Sequence, residues 1–196
     1  MSNESIDFGV KAEEPKVLVL VDANNVTGHA RSIGRKVNFP GLIEFFSRFG
    51  NIDEARIYAS LPPENFGGLI RFYDYLNHIG GERVKVIRKI SRRLPSGEIL
   101  HEPIRERLMM DAMYIAGSIR PDAIVLCSGN GSYVPLVLRL RRYGIKTIIA
   151  FPPQKTSEEL RDVASEFVDL TDFFSSGEPL ESRVPESEVP ALLKAG

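Results

Sequence analysis

The run Val17-Leu18-Val19-Leu20-Val21, closed by Asp22, constrains the fold more than any other stretch of this chain. Five consecutive apolar residues leave no polar face, so the segment suits a strand covered on both sides. Such strands sit in the middle of parallel sheets packed between helices. The rest of the chain continues the pattern. Ala55 to Ala59, a stretch around 83–89, Asp122 to Cys127 and Ile145 to Ala150 read as further strands, with Phe167 to Leu170 as a short last one. Between them, apolar residues recur at helical spacing. One stripe starts at Phe39 (Leu42, Ile43, Phe46, Phe49), one holds Phe66, Leu69, Ile70, Tyr73 and Leu76, and one holds Tyr133, Leu136, Val137 and Leu140. A further helix is expected from near Pro103 to about Ala116, and Ser91 to Pro103 reads as a loop or small excursion. Strands and helices in alternation predict an α/β fold, a three-layer α/β/α sandwich around a mostly parallel central sheet.

The 196 residues suffice for one well-buried domain, and 43% of them are hydrophobic, which fits an ordinary globular core. Residues 1–15 read as a flexible leading segment, 16–173 as the domain, and the Pro/Ser/Glu-rich 174–196 as a tail. The tail's apolar patch Ala191-Leu192-Leu193 suits docking on the body or on a partner, including a second copy. The single cysteine, Cys127, excludes an internal disulfide and a Cys-rich zinc site. The polar start MSNESIDFGVKAEEPK does not read as a secretory leader, and no apolar run nears the roughly 20 residues that span a bilayer. A cytoplasmic protein without membrane association is expected. The formal net charge of −1 makes local clustering the only basis for an anionic partner.

Ligands of open parallel sheets bind beyond the carboxyl ends of the strands, where strand order reverses. Two polar segments fall at such ends: Asp22-Ala23-Asn24-Asn25 and Ser128-Gly129-Asn130-Gly131-Ser132-Tyr133. A carboxylate directly after five apolar residues must be solvated in a cleft, hydrogen-bonded or metal-bound. The competing use of Asp22 and Asn24 is to shape a turn or cap a helix. Asp111 lies inside the apolar helical run Leu108 to Ala116, where it needs either a polar cleft or a partner such as Arg107 one turn earlier. The Ser128 to Ser132 loop has the glycines of a phosphate cradle but lacks a P-loop Lys-Ser/Thr ending and the third glycine of a dinucleotide fingerprint. Arg83, Lys85, Arg88, Lys89, Arg92 and Arg93 form a run without an acid, a candidate contact for a phosphate backbone or a merely solvated face. His29, His78 and His101 lack ligand spacing and read as surface or loop residues, and Cys127 as a buried strand-end thiol.

VLVLVDANNV near the start, DAIVLCSGNGSYVPLVLRLRRYGIKTIIA in the middle and SEELRDVASEFVDL near the end together resemble the NYN family (LabA-like, within the PIN-like nuclease superfamily). With the intervening helix that bears Asp111, the resemblance spans about positions 16 to 171. It implies a PIN-like fold and a metal-dependent ribonuclease in which clustered carboxylates hold Mg²⁺ or Mn²⁺. Asp22 matches the first-strand aspartate, Asn25 the polar loop asparagine and Asp111 the helix aspartate. The loop that usually reads S-G-D-x-D-F reads Ser128-Gly129-Asn130-Gly131-Ser132-Tyr133 here, so Asn130 and Ser132 replace two acids. Near the place of another family aspartate stands Arg105, with Glu102 and Glu106 close by as candidate replacements.

The resemblance therefore implies Asp22 and Asp111 as metal ligands, with Asn130 and Ser132 as neutral members of a depleted catalytic set. Asn25, Ser128, Arg88 and Arg92 are the candidate RNA contacts. Losing two carboxylates should weaken the hold on a divalent ion and disfavour a two-metal site. The competing reading is a non-catalytic RNA-binding or protein-interaction module on the same fold. A phosphatase with nucleophilic Asp22 is disfavoured, because its expected second acid is Asn24.

Overall fold

The computed structural model describes residues 13–60, 74, 78, 83–88, 91–101 and 103–180, of which 91–93 and 99–101 are described by backbone alone. The stripe from Phe66 to Leu76, Lys89, Glu102, the Arg92 side chain, the Ala191 to Leu193 patch and nearly all of 1–15 lie outside what is described. Strand β1 (Lys16–Asp22) occupies the centre of a six-stranded sheet. It pairs in parallel with β2 (Asn51–Ala59) on one side and with β6 (Ala123–Cys127) on the other. Beyond β2 lies β3 (Val84–Arg88), and beyond β6 lie β7 (Lys146–Ala150) and β8 (Glu166–Val168). All pairings in this sheet are parallel, in the order β3-β2-β1-β6-β7-β8. The direction of winding reverses between β1 and β6, so the site region is the gap between their carboxyl ends.

The apolar run of β1 is buried on both faces by simple alternation. Val17, Val19 and Val21 meet α1 (Ala23–Ser32) and α2 (Phe39–Phe46), together with Phe174 of α6 (Thr171–Ser175). Leu18 and Leu20 face α3 (Ile104–Ser118), α4 (Val134–Arg142) and Leu160 of α5 (Glu158–Val163). Two cores on opposite faces of one sheet make the three-layer sandwich that the alternation of elements implied. Among the described residues no helix is long and apolar enough to cross a membrane.

Three features depart from the sequence reading. Residues 91–103 carry a small antiparallel pair, β4 (Ser91–Arg93) with β5 (Ile99–His101), turned at Pro95-Ser96-Gly97. The chain after Phe174 is not free at once. Leu180 N–H donates to Gly34 O at 2.8 Å and Lys36 N–H to Glu178 O at 2.7 Å, and Pro179 bridges Arg35, so the segment to Leu180 is held against the α1–α2 link. His29 is not a surface residue. It lies half-buried in α1 with its ring edge-on to Phe151 and Phe174, at centroid distances of 5.5 and 4.9 Å.

Burial, helped by the charge of Lys155, lowers the His29 pKa, and its buried Nδ1 has no hydrogen-bond partner among the described residues. The unfolded chain therefore takes up a proton near pH 6.5 before the folded one does. Stability from this residue is complete above about pH 6.5 and declines as the pH falls below it. Urea midpoints at about pH 7.5 and about pH 5.5 should fall further apart for the native chain than for His29→Phe. Equal shifts would remove His29 from the account.

Candidate functional site

The end of β1 and the start of α1 coincide, which gives Asp22 two tasks at once. As the residue capping α1, it accepts the Asn25 backbone N–H at Oδ1, 3.2 Å away. Its Oδ2 accepts the Tyr133 hydroxyl at 3.0 Å and lies 3.3 Å from Ser128 Oγ. Asp22 is only 8% exposed, so these partners stand in for most of its water. The Asn25 side chain reaches across the reversal point and accepts the Gly129 N–H at 2.9 Å, with Ser128 Oγ at 3.2 Å. Asn24 receives the Ser60 N–H at 3.1 Å and ties in the end of β2. The asparagines expected at a ligand thus fasten three strand ends together.

Beyond β6, Asn130 accepts the Ser132 N–H at 3.0 Å and caps a 3₁₀ turn over Gly131–Tyr133. Ser128 is fully buried and also accepts the Asn130 N–H at 3.2 Å, while Ser132 is exposed. Tyr133 is fully buried, so its ring packs in the core and offers no face to a base. The glycines of this loop serve packing. A Cβ on Gly129 would stand 2.1 Å from the Lys155 carbonyl oxygen, and one on Gly131 would stand 2.7 Å from Ser157 Oγ. The backbone presses on the 153–157 segment, which supplies a steric reason for glycine that needs no phosphate.

Asp111 lies on the same face of the sheet, through its contact with Tyr58, the residue paired with Asp22 in β2. The Tyr58 hydroxyl donates to its Oδ2 at 3.0 Å. Arg107 Nε donates to Oδ1 at 3.0 Å, and an Arg56 guanidinium nitrogen stands 3.3 Å from Oδ2. The Arg107 pairing weighed from the sequence is present, and Arg56, two residues before Tyr58 in β2, joins it. The chain of charges continues from Arg56 to Glu54 and from Glu54 to Lys85, the latter at 2.7 Å. Sequence reading missed Arg56, although its position two residues from Tyr58 put both on one face of β2. Burial, reinforced by Asp111, pushes the Tyr58 hydroxyl upward in pKa, and burial with Asp22 does the same to Tyr133. Both phenols stay protonated and act as donors. Cys127 is fully buried, and its thiol is likewise pushed up, so it is no nucleophile.

At the start of α3, Arg105 pairs with Glu106 at 3.0 Å. Glu106 raises the Arg105 pKa most, and Tyr133 and Asp22 add to it from the sheet side. An exposed guanidinium thus lies within electrostatic reach of the Asp22–Tyr133 pair, and its ion pair is with Glu106. The basic run of 83–93 is divided by strand alternation. Lys85 lies on the face of Arg56 and pairs with Glu54, whereas Arg88 lies on the other face and pairs with Asp74.

A resident Mg²⁺ or Mn²⁺ needs negatively charged oxygens with free lone pairs. Both Asp111 oxygens are taken up by cations and a hydroxyl. Among the described residues no three carboxylates, imidazoles or thiols converge. The donor set does not fit the acidic cage that the resemblance implies.

The NYN domain profile matches residues 16–171, nearly the whole sheet and its helices. A comparison with curated proteins finds no match. A crystal structure of a protein of unknown function from Vibrio parahaemolyticus superposes with a TM-score of 0.68 at 25% identity, covering 82% of this chain and 95% of that one. With Asp22 at the strand-order reversal and the profile spanning the full sheet, the chain belongs to the NYN domain family, a ribonuclease-like family of PIN type.

Proposed function

We propose that this NYN domain binds single-stranded RNA at the carboxyl end of its sheet and holds the phosphate backbone without hydrolysing it. The observation that carries the reading is the conversion of the acidic site to a mixed one. Asp111 is bridged by Arg56 and Arg107, and the exposed Arg105 lies within electrostatic reach of Asp22. Metal-assisted hydrolysis needs a cation that lowers the pKa of a bound water, and an arginine cannot do so. A guanidinium does present the planar donor fork that suits a phosphate. The single buried cysteine accords with a cytoplasmic setting.

A second reading, weak metal-dependent cleavage, is favoured by one detail. Among the described residues Asp22 Oδ1 accepts one hydrogen bond, and that leaves it a lone pair for a hydrated Mg²⁺ or Mn²⁺. Incubating labelled single-stranded RNA with the protein and Mn²⁺ separates the two. Binding without cutting is expected, and Arg105→Glu should weaken binding on the order of tenfold or more, as for a lost charge-assisted hydrogen bond. Cutting that EDTA and Asp22→Asn both abolish would establish the second reading and overturn the first.

A further inference from the structure

We propose that the opposite edge of the sheet carries a second RNA-binding surface, built by Arg120, Arg139, Arg141 and Arg142 around the exposed ring of Tyr143. The proposal rests on the RNA-binding reading of the domain and adds a site that the acidic centre does not contain. Arg139, Arg141 and Arg142 crowd the last turn of α4, and Tyr143, 54% exposed, follows directly. Arg120 lies two residues past the end of α3, which packs beside α4. The two turns are joined, since Lys146 N–H donates to Asp122 O at 3.1 Å.

Three observations set this patch apart from an ordinary solvated face. First, all four arginines are exposed, and none has an ion pair among the described residues, whereas the neighbouring Lys146 pairs with Glu166 at 2.6 Å. The exposed acid nearby, Asp122, accepts the Lys16 backbone N–H at 2.7 Å. Second, a helix carboxyl terminus welcomes a positive charge, but Arg139 and Arg142 stand three residues apart, where like charges repel. The dipole accounts for one cation and not for this concentration in a chain whose net charge is −1.

Third, Arg120 has φ 52°, the left-handed conformation in which glycine is relaxed and a side chain is strained. At this helix end, where glycine would be relaxed, the chain places a guanidinium. Unpaired arginines beside an exposed aromatic ring form the arrangement that holds a backbone by charge and a base by stacking. The patch lies the length of β1 away from Asp22, seven residues or about 20 Å, so a long strand can occupy both sites, whereas one no longer than a single site size of about 6 nucleotides fills only one.

The test measures affinity for single-stranded RNA of about 6 and about 25 nucleotides, a span chosen from single-strand site sizes. The triple variant Arg139→Gln, Arg141→Gln, Arg142→Gln should bind the short RNA as the native chain does. It should bind the long RNA on the order of tenfold more weakly, with a salt slope shallower by about 2. Arg105→Glu should weaken both lengths, so failure of the central site and of the patch are told apart. Arg120→Gly should melt about 2 °C higher yet bind long RNA less well, which separates contact from folding. Unchanged long-RNA affinity and salt slope in the triple variant would overturn the patch. So would loss of polyglutamate retention with RNA binding intact, which would identify an acidic protein as the partner. A native chain that binds neither RNA would overturn the functional reading itself.

Discussion

Asp111→Ala should destabilise the fold by about 3 kcal/mol, because it strips one of two carboxylate partners from a largely buried guanidinium and leaves Glu54 as the other. Arg56 and Asp111 are each 16% exposed at the side chain, so solvent does little to replace what is lost. Arg107, 37% exposed, recovers more water and contributes less. The Tyr58 hydroxyl also loses its acceptor in a buried setting. At about 2–4 °C per kcal/mol for a chain of this size, the melting midpoint should fall by about 6–12 °C. Asp111→Asn keeps an acceptor for Tyr58 and loses only the charge, so it should fall between the two. The measurement also judges the role that family resemblance gives this residue. A metal ligand without structural duty would leave the melting midpoint of Asp111→Ala unchanged and lose only affinity for Mn²⁺, and that outcome would restore the acidic site.

The layers of the fold were legible because strand burial writes itself into runs of apolar residues. Val17 to Val21 placed β1 at the centre of a sheet, and the structure buries it on both faces. The helical stripes at Phe39 and Tyr133 likewise became α2 and α4, to within a residue or so at their starts. The short pair β4–β5 was hidden because three-residue strands carry too few side chains to show alternation. The site was legible in place but not in chemistry. Asp22, Asn25 and Ser128 do converge where the strand order reverses. What sequence order conceals is which cation meets which carboxylate. Arg56 and Asp111 lie far apart in the chain and meet only because β2 and α3 share one face of the sheet. Lys85 and Arg88 show the converse: three residues apart in one basic run, they point to opposite faces.

Gly129→Ala is the strongest test of what the loop after β6 is for. A methyl group there would meet the Lys155 carbonyl oxygen at 2.1 Å and Phe151 Cδ1 at 2.7 Å, and the first of these is backbone. The carbonyl cannot swing aside, because Ser157 N–H donates to Gly129 O at 3.0 Å and holds the two segments face to face. Overpacking of this kind should cost about 3 kcal/mol, again about 6–12 °C in melting midpoint. Gly131→Ala meets only the Ser157 side chain, which can rotate, so its loss should be clearly smaller. Gly28→Ala, with open space around it in α1, should stabilise slightly through helix propensity. The ranking matters for function because the tightly packed loop carries Ser128, and Ser128 reaches Asp22 and Asn25. If the glycine instead existed to let a phosphate approach, Gly129→Ala would melt like the native chain and lose only RNA affinity. A large loss of stability would mean that this loop spends its glycines on closing the sheet.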